Sequence, residues 1–359
     1  MPLERIRVDG VRILSGVDCE LDPQRNYFFG PNGAGKTSLL EAVFLIGRGR
    51  SFRTRQTRRL IQHGREALAV HVEQREGGSV RRIGVQFDDT GIVFRIDRQP
   101  AASVTDVARC FAVDVIDPGV HRLIEGGPSE RRRFIDWGVF HVEHDYLAAW
   151  KRYRRVLGQR NAALKAGAPR PALEPWDRAL ASTGADVTRA RTAYVERFAP
   201  VAEGVAERLL GRKLEVRYRA GWRAGIELAE ALDESLERDR ALGHTTPGPH
   251  RADLVLRLDG ADAAAEASRG QQKLCAAALV IAQVRAAAES ARRDSVLLID
   301  DPAAELDRRS LERLLGEVEG LPAQLILTGL AEELLPVDGR FPVFHVEQGR
   351  VRRCYNESI

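Results

Sequence analysis

The chain has 359 residues, of which 44% are hydrophobic and 30% are charged, with a formal net charge of +4. This length predicts two or three structural units, and the balance of apolar and charged residues excludes wholesale disorder. No apolar run reaches the roughly 18 residues of a membrane span, and the charged N-terminal segment has no signal-peptide core. The four cysteines are far apart and form no C-x-x-C pair, so we expect a reduced, cytoplasmic protein without zinc or disulfides.

The first third of the chain predicts alternating strands and helices. "ERIRV" (4–8) alternates polar and apolar residues as a half-buried strand does, and "NYFFG" (26–30) is a short apolar run that ends in glycine. "TSLLEAVFLIG" (37–47) has apolar residues at helical spacing. Four β-like runs follow between residues 68 and 116, separated by turn signals, and they predict an antiparallel section; they read "ALAVHVE", "RRIGVQF", "GIVFRID" and "CFAVDVI".

"GPNGAGKT" (30–37) fits the P-loop pattern G-x-x-x-x-G-K-[ST] in full. Gly33 and Gly35 let the backbone wrap a phosphate, and the N–H groups at a helix N-terminus donate to it. Lys36 would reach the β- and γ-phosphates of ATP, and the Thr37 hydroxyl would ligate Mg²⁺. An apolar strand before and a helix after favour this interpretation over a chance glycine-rich turn. The candidate nucleotide-binding residues here are Gly30, Pro31, Asn32, Gly33, Ala34, Gly35, Lys36, Thr37 and Ser38.

The middle of the chain is helical. Leu147, Trp150, Leu157 and Leu164 lie at three- and seven-residue steps, and "GAPRP" (167–171) then breaks the pattern. Leu180, Val187 and Tyr194 continue a seven-residue spacing in a second helical stretch from about 175 to 210. This pattern predicts an antiparallel hairpin of two helices, packed as a coiled coil and short enough to form a lobe.

The last third returns to an α/β pattern. "SVLLID" (295–300) and "AQLILTG" (323–329) are continuous apolar runs that predict fully buried parallel strands. Asp300 ends the first run, where a carboxylate can hold Mg²⁺; the alternative is an aspartate that caps the next turn. Asp301 follows directly and is the candidate catalytic residue that orients or deprotonates a water molecule. Because an aspartate is shorter than a glutamate, we expect slow hydrolysis at best.

The order of the motifs is that of ABC-type ATPase heads. The chain has a P-loop, then a helical insertion, the step S-x-G-Q, an apolar strand that ends in Asp-Asp, and finally "ELD". Nearly the whole chain resembles the RecF family, bacterial recombination mediators related to SMC-like repair ATPases. The segments that carry the resemblance are "GPNGAGKTSLLEAV", "GRGRSFR", "GGPSERRRFID", "YRRVLGQRNAALK", "GPHRADL", "SRGQQKL" and "LLIDDPAAELD". The implied fold is an α/β ABC/SMC-type head with a mixed sheet and an inserted α-helical lobe. The expected division is 1–125 and 236–359 for the head and 126–235 for the lobe.

The resemblance also implies the activity and the partners. RecF-like proteins bind ATP with Mg²⁺, form head-to-head dimers when ATP is bound, bind DNA at single-strand gaps and junctions, and hydrolyse ATP slowly. They act with RecR and RecO type mediator proteins to load recombinase. By this resemblance Asp300 would hold Mg²⁺ together with Thr37, and Asp301 would position water. Ser268, Gly270 and Gln271 would meet the γ-phosphate held by the partner subunit, and Asp307 would lie at the dimer seam.

Several positions depart from the pattern. Arg269 stands where the general ABC signature has glycine, and Thr328 stands where that pattern has its switch histidine. "VRI" (11–13) replaces the usual Phe-Arg-Asn step, which leaves a role for Arg12 near the nucleotide open. No residue is assigned to the Q-loop. For His250 and Arg251, a structural role and a place near the nucleotide are both open.

Two segments are rich in arginine. Residues 47–59 hold six arginines and no acidic residue, and residues 122–170 hold eleven Lys and Arg against five Asp and Glu. Such segments favour contact with DNA phosphates, while a solvated face or internal ion pairs are the alternatives. An ABC-type subunit of a transporter or of another SMC-like repair complex is the competing function, although a membrane-coupled insertion would not be this basic.

Overall fold

The chain returns to its first unit after an insertion: Met1–Val120 and Leu279–Ile359 form one compact unit, and His121–Ala278 form a second. The computed structural model describes residues 2–76, 78–110, 112–291, 295–331 and 341–354. The inserted unit extends to Ala278 and includes the paired strands Leu214–Arg219 and Asp253–Leu258. The division at 125 and 235 stays a prediction.

Fifteen strands lie in the described part of the chain. They are β1 (Leu3–Asp9), β2 (Val17–Glu20), β3 (Arg25–Phe29), β4 (Leu68–Glu76), β5 (Ser79–Asp88), β6 (Gly91–Ile96), β7 (Gln99–Pro100), β8 (Ala112–Ile116), β9 (Leu214–Arg219), β10 (Asp253–Leu258), β11 (Ala261–Asp262), β12 (Ser295–Ile299), β13 (Ala323–Gly329), β14 (Val343–Glu347) and β15 (Arg350–Cys354).

Twelve α-helices accompany the strands in the same described ranges. They are α1 (Lys36–Arg48), α2 (Val104–Ala108), α3 (Arg122–Glu125), α4 (Pro128–Val142), α5 (Tyr146–Lys165), α6 (Arg170–Leu210), α7 (Leu228–Glu234), α8 (Leu236–Leu242), α9 (Ala263–Glu266), α10 (Arg269–Ala291), α11 (Pro302–Glu305) and α12 (Arg308–Glu319). Among the described residues, none of these helices is long and apolar enough to cross a membrane.

A six-stranded sheet positions the candidate site in the first unit. Its order is β15-β14-β3-β13-β12-β8, and all neighbours are parallel except the β14–β15 pair. Every residue of β12 is buried, and so is nearly all of β13, which confirms the two predicted parallel strands. The expectation for "CFAVDVI" is wrong: β8 does not join the antiparallel section but pairs in parallel with β12. Its apolar residues are those of a buried parallel strand, and short runs do not reveal their pairing partner.

A second sheet of the same unit is antiparallel throughout, in the order β2-β1-β4-β5-β6-β7. Its apolar face and that of the parallel sheet share one core with α1. Ile6 and Val70 of this sheet, Phe28 and Leu298 of the parallel sheet and Leu40 of α1 belong to that core, each at most 1% exposed. Burial of this apolar surface is the main favourable term for the unit, at about 25 cal/mol per Å².

The helical hairpin of the second unit is also present. The packed helices α5 and α6 are joined by the short turn at 166–169, as "GAPRP" predicted. Leu180, Val187 and Tyr194 are at most 1% exposed, so their seven-residue spacing does mark the buried face of α6. In α5 the buried face includes Tyr146, Ala149 and Tyr153 together with Leu157 and Leu164. Leu147 and Trp150 are only partly buried, so half of the predicted seam of α5 is wrong.

Candidate nucleotide site

Five parallel strands, β14, β3, β13, β12 and β8, end at one edge of the sheet, and the candidate residues lie at three of those ends. The P-loop follows β3, Asp300 and Asp301 follow β12, and Thr328 lies near the end of β13. Since β13 lies between β3 and β12, these three segments are neighbours. The backbone N–H of Asp300 donates to the carbonyl of Ile116 at the end of β8, at 2.9 Å. Loops at the carboxyl edge of a parallel sheet are the usual place for a ligand.

Gly35 and Gly33 of the P-loop are glycines for different physical reasons. Gly35 precedes α1 with φ 117°, and a Cβ there would come 2.8 Å from Leu14 Cδ2, so the fold itself requires glycine. Gly33 has φ 79°, and a Cβ there would meet nothing within 4 Å. Gly33 therefore faces open space, beside the exposed Pro31 and Asn32, as a phosphate cradle requires.

The remaining P-loop side chains begin α1. Lys36 is 6% exposed, and its ammonium donates to the carbonyls of Gly30 at 2.6 Å and Pro31 at 3.0 Å. Burial lowers the pKa of Lys36, while the charges of Asp301 and Asp300 oppose that shift. Ala34 and Ser38 are buried. The ammonium is thus held at the loop, and no carboxylate of the described residues is in direct contact with it.

Two hydroxyl groups converge on Asp300. Thr37 Oγ1 lies 2.9 Å from Asp300 Oδ1 and 3.0 Å from Oδ2, and Thr328 Oγ1 donates to Oδ1 at 2.8 Å. Burial raises the pKa of Asp300, and the hydrogen bonds from Thr328 and Thr37 act against that rise. A hydroxyl and a carboxylate at this distance are the oxygen ligands that Mg²⁺ prefers. The structure therefore brings the two predicted metal ligands together.

Asp301 has a strained backbone and an unpartnered oxygen. Its φ and ψ are 46° and 56°, in the left-handed region, and its backbone N–H donates to Thr328 Oγ1 at 3.0 Å. Burial raises the pKa of Asp301, and the charge of Lys36 opposes the rise. Asp301 Oδ1 is buried without a hydrogen-bond partner among the described residues. A buried acceptor without a donor fits a site that completes its hydrogen bonds with water or ligand.

A buried carboxylate, Glu41, escaped the sequence reasoning. Its side chain is fully buried on α1, and it accepts two bonds from Arg12, at 3.0 and 3.1 Å. The Ser51 hydroxyl also donates to Glu41, and Arg53 lies 3.6 Å away. The charge of Arg53 also opposes the rise that burial causes in the pKa of Asp300. The sequence did contain an indication of this buried carboxylate, because Glu41 lies among the apolar residues of the buried face of α1.

The S-x-G-Q step lies in the second unit and caps α10. The backbone N–H of Ser268 donates to Gln271 Oε1 at 2.9 Å, and that of Gln271 donates to Ser268 Oγ at 3.4 Å. This reciprocal pair is a capping box, which explains the polar start of an apolar helix. A Cβ at the exposed Gly270 would meet nothing within 4 Å. Arg269 pairs with Glu125 at 3.1 Å.

Asp307 caps α12 in the first unit. Its Oδ1 accepts from the backbone N–H of Ser310 at 3.0 Å, and its Oδ2 accepts from the Ser310 hydroxyl at 2.7 Å. These bonds lower the pKa of Asp307. The residue is exposed, and its role at a dimer seam stays a prediction.

Three of the six arginines in residues 47–59 lie within 4 Å of a carboxylate of the same chain. Arg48 pairs with Asp114 at 2.6 Å, Arg58 with Asp89 at 2.8 Å, and Arg53 lies near Glu41. Burial lowers the pKa of Arg48 to about 9 despite the charge of Asp114. For these residues the internal-pair alternative is the right one.

The basic residues of 122–170 divide in the same way. Arg131 pairs with Asp253 at 2.8 Å, and the fully buried Arg160 pairs with Asp239 at 2.7 Å. The exposed basic residues of α5 differ, because no carboxylate lies within 4 Å of them in the described ranges. Apart from Lys165 at the end of the helix, they are Lys151, Arg152, Arg154 and Arg155, which we call the α5 basic face. Arg154 also lies over the Trp150 ring at 5.3 Å.

His250 has a structural role in the second unit. Its Nε2 lies 3.0 Å from the carbonyl of Thr245, which can only accept, and its Nδ1 lies 2.6 Å from the Tyr153 hydroxyl. The neutral ring with a proton on Nε2 satisfies both contacts. Burial lowers the pKa of His250 to about 4.

Comparison with known proteins identifies the family of the chain. The RecF/RecN/SMC N terminal domain family matches residues 2–351. A "DNA replication and repair protein RecF" of Pseudomonas putida (strain GB-1) is 42% identical over 99% of both chains. The protein of the same name from Azotobacter vinelandii is 41% identical over the full length of both. The chain belongs to the RecF family of SMC-like ATPases.

Solved RecF structures have the same fold. The recombination mediator RecF with ATP, described as part of the RecFOR pathway, has a TM-score of 0.87 at 26% identity and covers 99% of this chain and 98% of its own. A RecF with an ATP analogue gives 0.85 at 27% identity, with 98% of each chain covered. An SMC head bound to the winged-helix domain of ScpA gives 0.59 at 14% identity over 99% and 98%. The predicted α/β ABC/SMC-type head is confirmed.

Proposed function

We propose that this RecF-family chain is an ATP-gated DNA-binding protein of recombinational repair. The observation that carries the proposal is the contact of Thr37 with Asp300, which joins a complete P-loop to the carboxylate that follows β12. Relatives named as DNA replication and repair proteins, and a RecF solved with ATP, support the same role.

The chemistry of each residue in the candidate site suggests a separate role. Gly33 and the backbone N–H groups at the start of α1 would hold the phosphates of ATP, with Lys36 as the neutralising cation. Thr37 and Asp300 would hold Mg²⁺, which would supply charge neutralisation at the phosphates. Asp301 would position the attacking water, and because an aspartate is shorter than a glutamate, we expect a slow reaction that acts as a timer.

The proposal also covers assembly and place of action. Ser268, Gly270 and Gln271 would meet the nucleotide of a second copy, so that ATP joins two heads. The dimer would bind gapped or junction DNA, act with RecR and RecO type proteins to load recombinase, and work in the cytoplasm. The α5 basic face supports DNA contact through phosphates, which is selective for DNA structure and not for base sequence.

DNA binding with and without ATP tests this function. Labelled duplex and gapped DNA should bind more tightly when ATP and Mg²⁺ are present, and Lys36→Ala should remove that difference. The double variant Lys151→Glu/Arg155→Glu should weaken binding and reduce the slope of log K against log salt by about 1–2, since each phosphate contact contributes about 0.9. Arg257→Glu, an exposed arginine on β10, is the matched control. Equal affinity with and without ATP would refute the gating, and an unchanged slope would refute the role of α5.

A further inference from the structure

Two adjacent clefts lie on either side of one loop in the second unit. The loop, residues 220–227, connects β9 to α7 and carries Trp222 and Ile226. One cleft has a volume of about 650 Å³ and the other about 530 Å³, and both are lined by Arg219, Trp222, Arg223 and Ile226. We call the combined surface the Trp222 cleft. Volumes of this size are typical of ligand-binding clefts.

The loop that divides the cleft is fixed in place. Trp222 Nε1 donates to the carbonyl of Ile226 at 3.1 Å, which closes the loop on itself. Gly221 has φ 100°, and its carbonyl accepts from the backbone N–H of Gly248 at 3.3 Å. A Cβ at position 221 would come 2.3 Å from the carbonyl oxygen of Gly248, so the loop approaches that segment as closely as glycine allows. The walls of the cleft are therefore preformed.

The larger cleft has an apolar floor. Val195 and Ala199 of α6 and Val216 of β9 line it, and they are 4%, 8% and 5% exposed. The partly buried side chains of Trp222 and Ile226 form its wall. Such a floor favours an apolar side chain over a phosphate or a water-filled channel.

The smaller cleft is basic. Arg219, Arg223, Arg238 and Arg251 line it against one acidic residue, Glu234. Arg223 pairs with Glu234 at 2.6 Å, and Arg219 lies 3.6 Å from Asp253. Arg238 and Arg251 are exposed and have no carboxylate within 4 Å in the part of the chain that the structure describes. Two cations are thus available for a partner.

We propose that the Trp222 cleft docks an acidic segment of a partner protein, with an apolar side chain in the larger cleft and carboxylates on Arg238 and Arg251. Charge complementarity selects an acidic occupant, and the apolar floor requires a side-chain anchor. Duplex DNA fits less well, because its stiff backbone cannot enter a cleft of side-chain size and would leave the floor exposed to water. This surface is separate from the α5 basic face and from the residues assigned to ATP.

Fluorescence anisotropy of the full chain with three labelled peptides tests the proposal. The first peptide alternates Glu and Asp and ends in a Phe-Leu pair; the second has Ala-Ala at that end; the third has Lys in place of the acidic residues. The first should bind tightest, the second about tenfold more weakly because it lacks the anchor, and the third not measurably.

Variants locate the binding on this surface. Arg238→Glu/Arg251→Glu should weaken the first peptide about tenfold or more and gain affinity for the Lys peptide, since the charge pairing is reversed. Arg257→Glu should change neither affinity, and ATP binding by all variants should match that of the unmodified chain. The proposal is overturned if the double variant binds like Arg257→Glu, or if no acidic peptide binds. It is also overturned if a labelled single-stranded oligonucleotide binds there and displaces the peptide.

Discussion

Thr328 connects the two carboxylates of the candidate site through one hydroxyl group. The hydroxyl donates to Asp300 Oδ1 and accepts from the backbone N–H of Asp301, which has a left-handed backbone. One side chain thus holds both the buried carboxylate and the strained turn after it. General ABC heads have a histidine at this position, and in this chain a threonine makes the connection.

Replacement of Thr328 by valine should separate binding from turnover. Valine has a similar shape, but it removes one of the two hydroxyl donors to Asp300 and leaves the Asp301 N–H without its acceptor. We expect a cost of about 1–3 kcal/mol in the free energy of unfolding. We expect ATP affinity to change little and the hydrolysis rate to fall about tenfold or more, because Asp301 is no longer held in place. Thr328→Ser keeps the hydroxyl and should restore both properties. Urea unfolding and single-turnover hydrolysis would show this, and equal behaviour of the two variants would contradict it.

His250 makes stability depend on pH. Its pKa falls from 6.5 to about 4 on folding, so the folded state binds this proton less readily than the unfolded state. The contribution to stability is complete above pH 6.5 and is lost as the pH falls towards 4, by about 3 kcal/mol in total. Asparagine at 250 can still accept from Tyr153 but does not titrate, so His250→Asn should flatten this part of the curve. Urea unfolding from pH 7 to 4 measures this dependence, and a curve for His250→Asn that falls as steeply as that of the unmodified chain would contradict the assignment.

Residues that act through local chemistry could be predicted, and residues that act through distant partners could not. The P-loop pattern includes Lys36 and Thr37 within eight residues, and Asp300 follows a recognisable strand. The contact of Glu41 with Arg12 depends on how the loop at 10–16 meets α1, which no local pattern encodes. The same limit applies to Arg131 and Arg160, whose carboxylate partners lie far along the chain.

Among the elements, the N-terminus of α10 has a structural role and also a proposed functional role. Ser268 and Gln271 satisfy each other's backbone groups, while Gly270 leaves the helix end open to solvent. Periodicity predicted the type of most elements, including β12, β13 and α6. It could not predict the pairing of β8, because a short strand with four apolar residues around Asp114 fits an antiparallel and a parallel neighbour equally well.

Ser268→Ala should reveal both roles of this N-terminus. Loss of the capping hydroxyl should cost about 1 kcal/mol in the free energy of unfolding. The variant should bind ATP as a monomer with unchanged affinity and dimerise more weakly, because the lost donor would serve the nucleotide of the other copy. Ser268→Thr keeps the hydroxyl and should retain stability. Calorimetric ATP titration at low protein concentration separates the effects, and a loss of monomer affinity would mean that Ser268 serves its own chain's nucleotide.

At the scale of the whole molecule, the proposed ATP-dependent dimerisation depends on two helix N-termini in each chain that can bind phosphate. Helix α1 begins at the P-loop, and helix α10 begins at the exposed Ser268–Gly270 step. Each of these helix ends favours an anion through its free N–H groups and its dipole. In a dimer, each of two ATP molecules would contact the N-terminus of α1 in one copy and that of α10 in the other. ATP would therefore link the two heads.

Mass measurements with and without nucleotide decide whether this assembly exists. We expect a monomer without ATP and a dimer with ATP and Mg²⁺ in sedimentation or light scattering. Since Lys36 would neutralise the phosphates, Lys36→Ala should stay monomeric under both conditions. Thr328→Val should form dimers that persist longer, because hydrolysis would end the dimer. ADP should not support the dimer, because it lacks the γ-phosphate that the second copy would contact. A mass that does not respond to ATP would refute the dimer and leave ATP as a ligand of single heads.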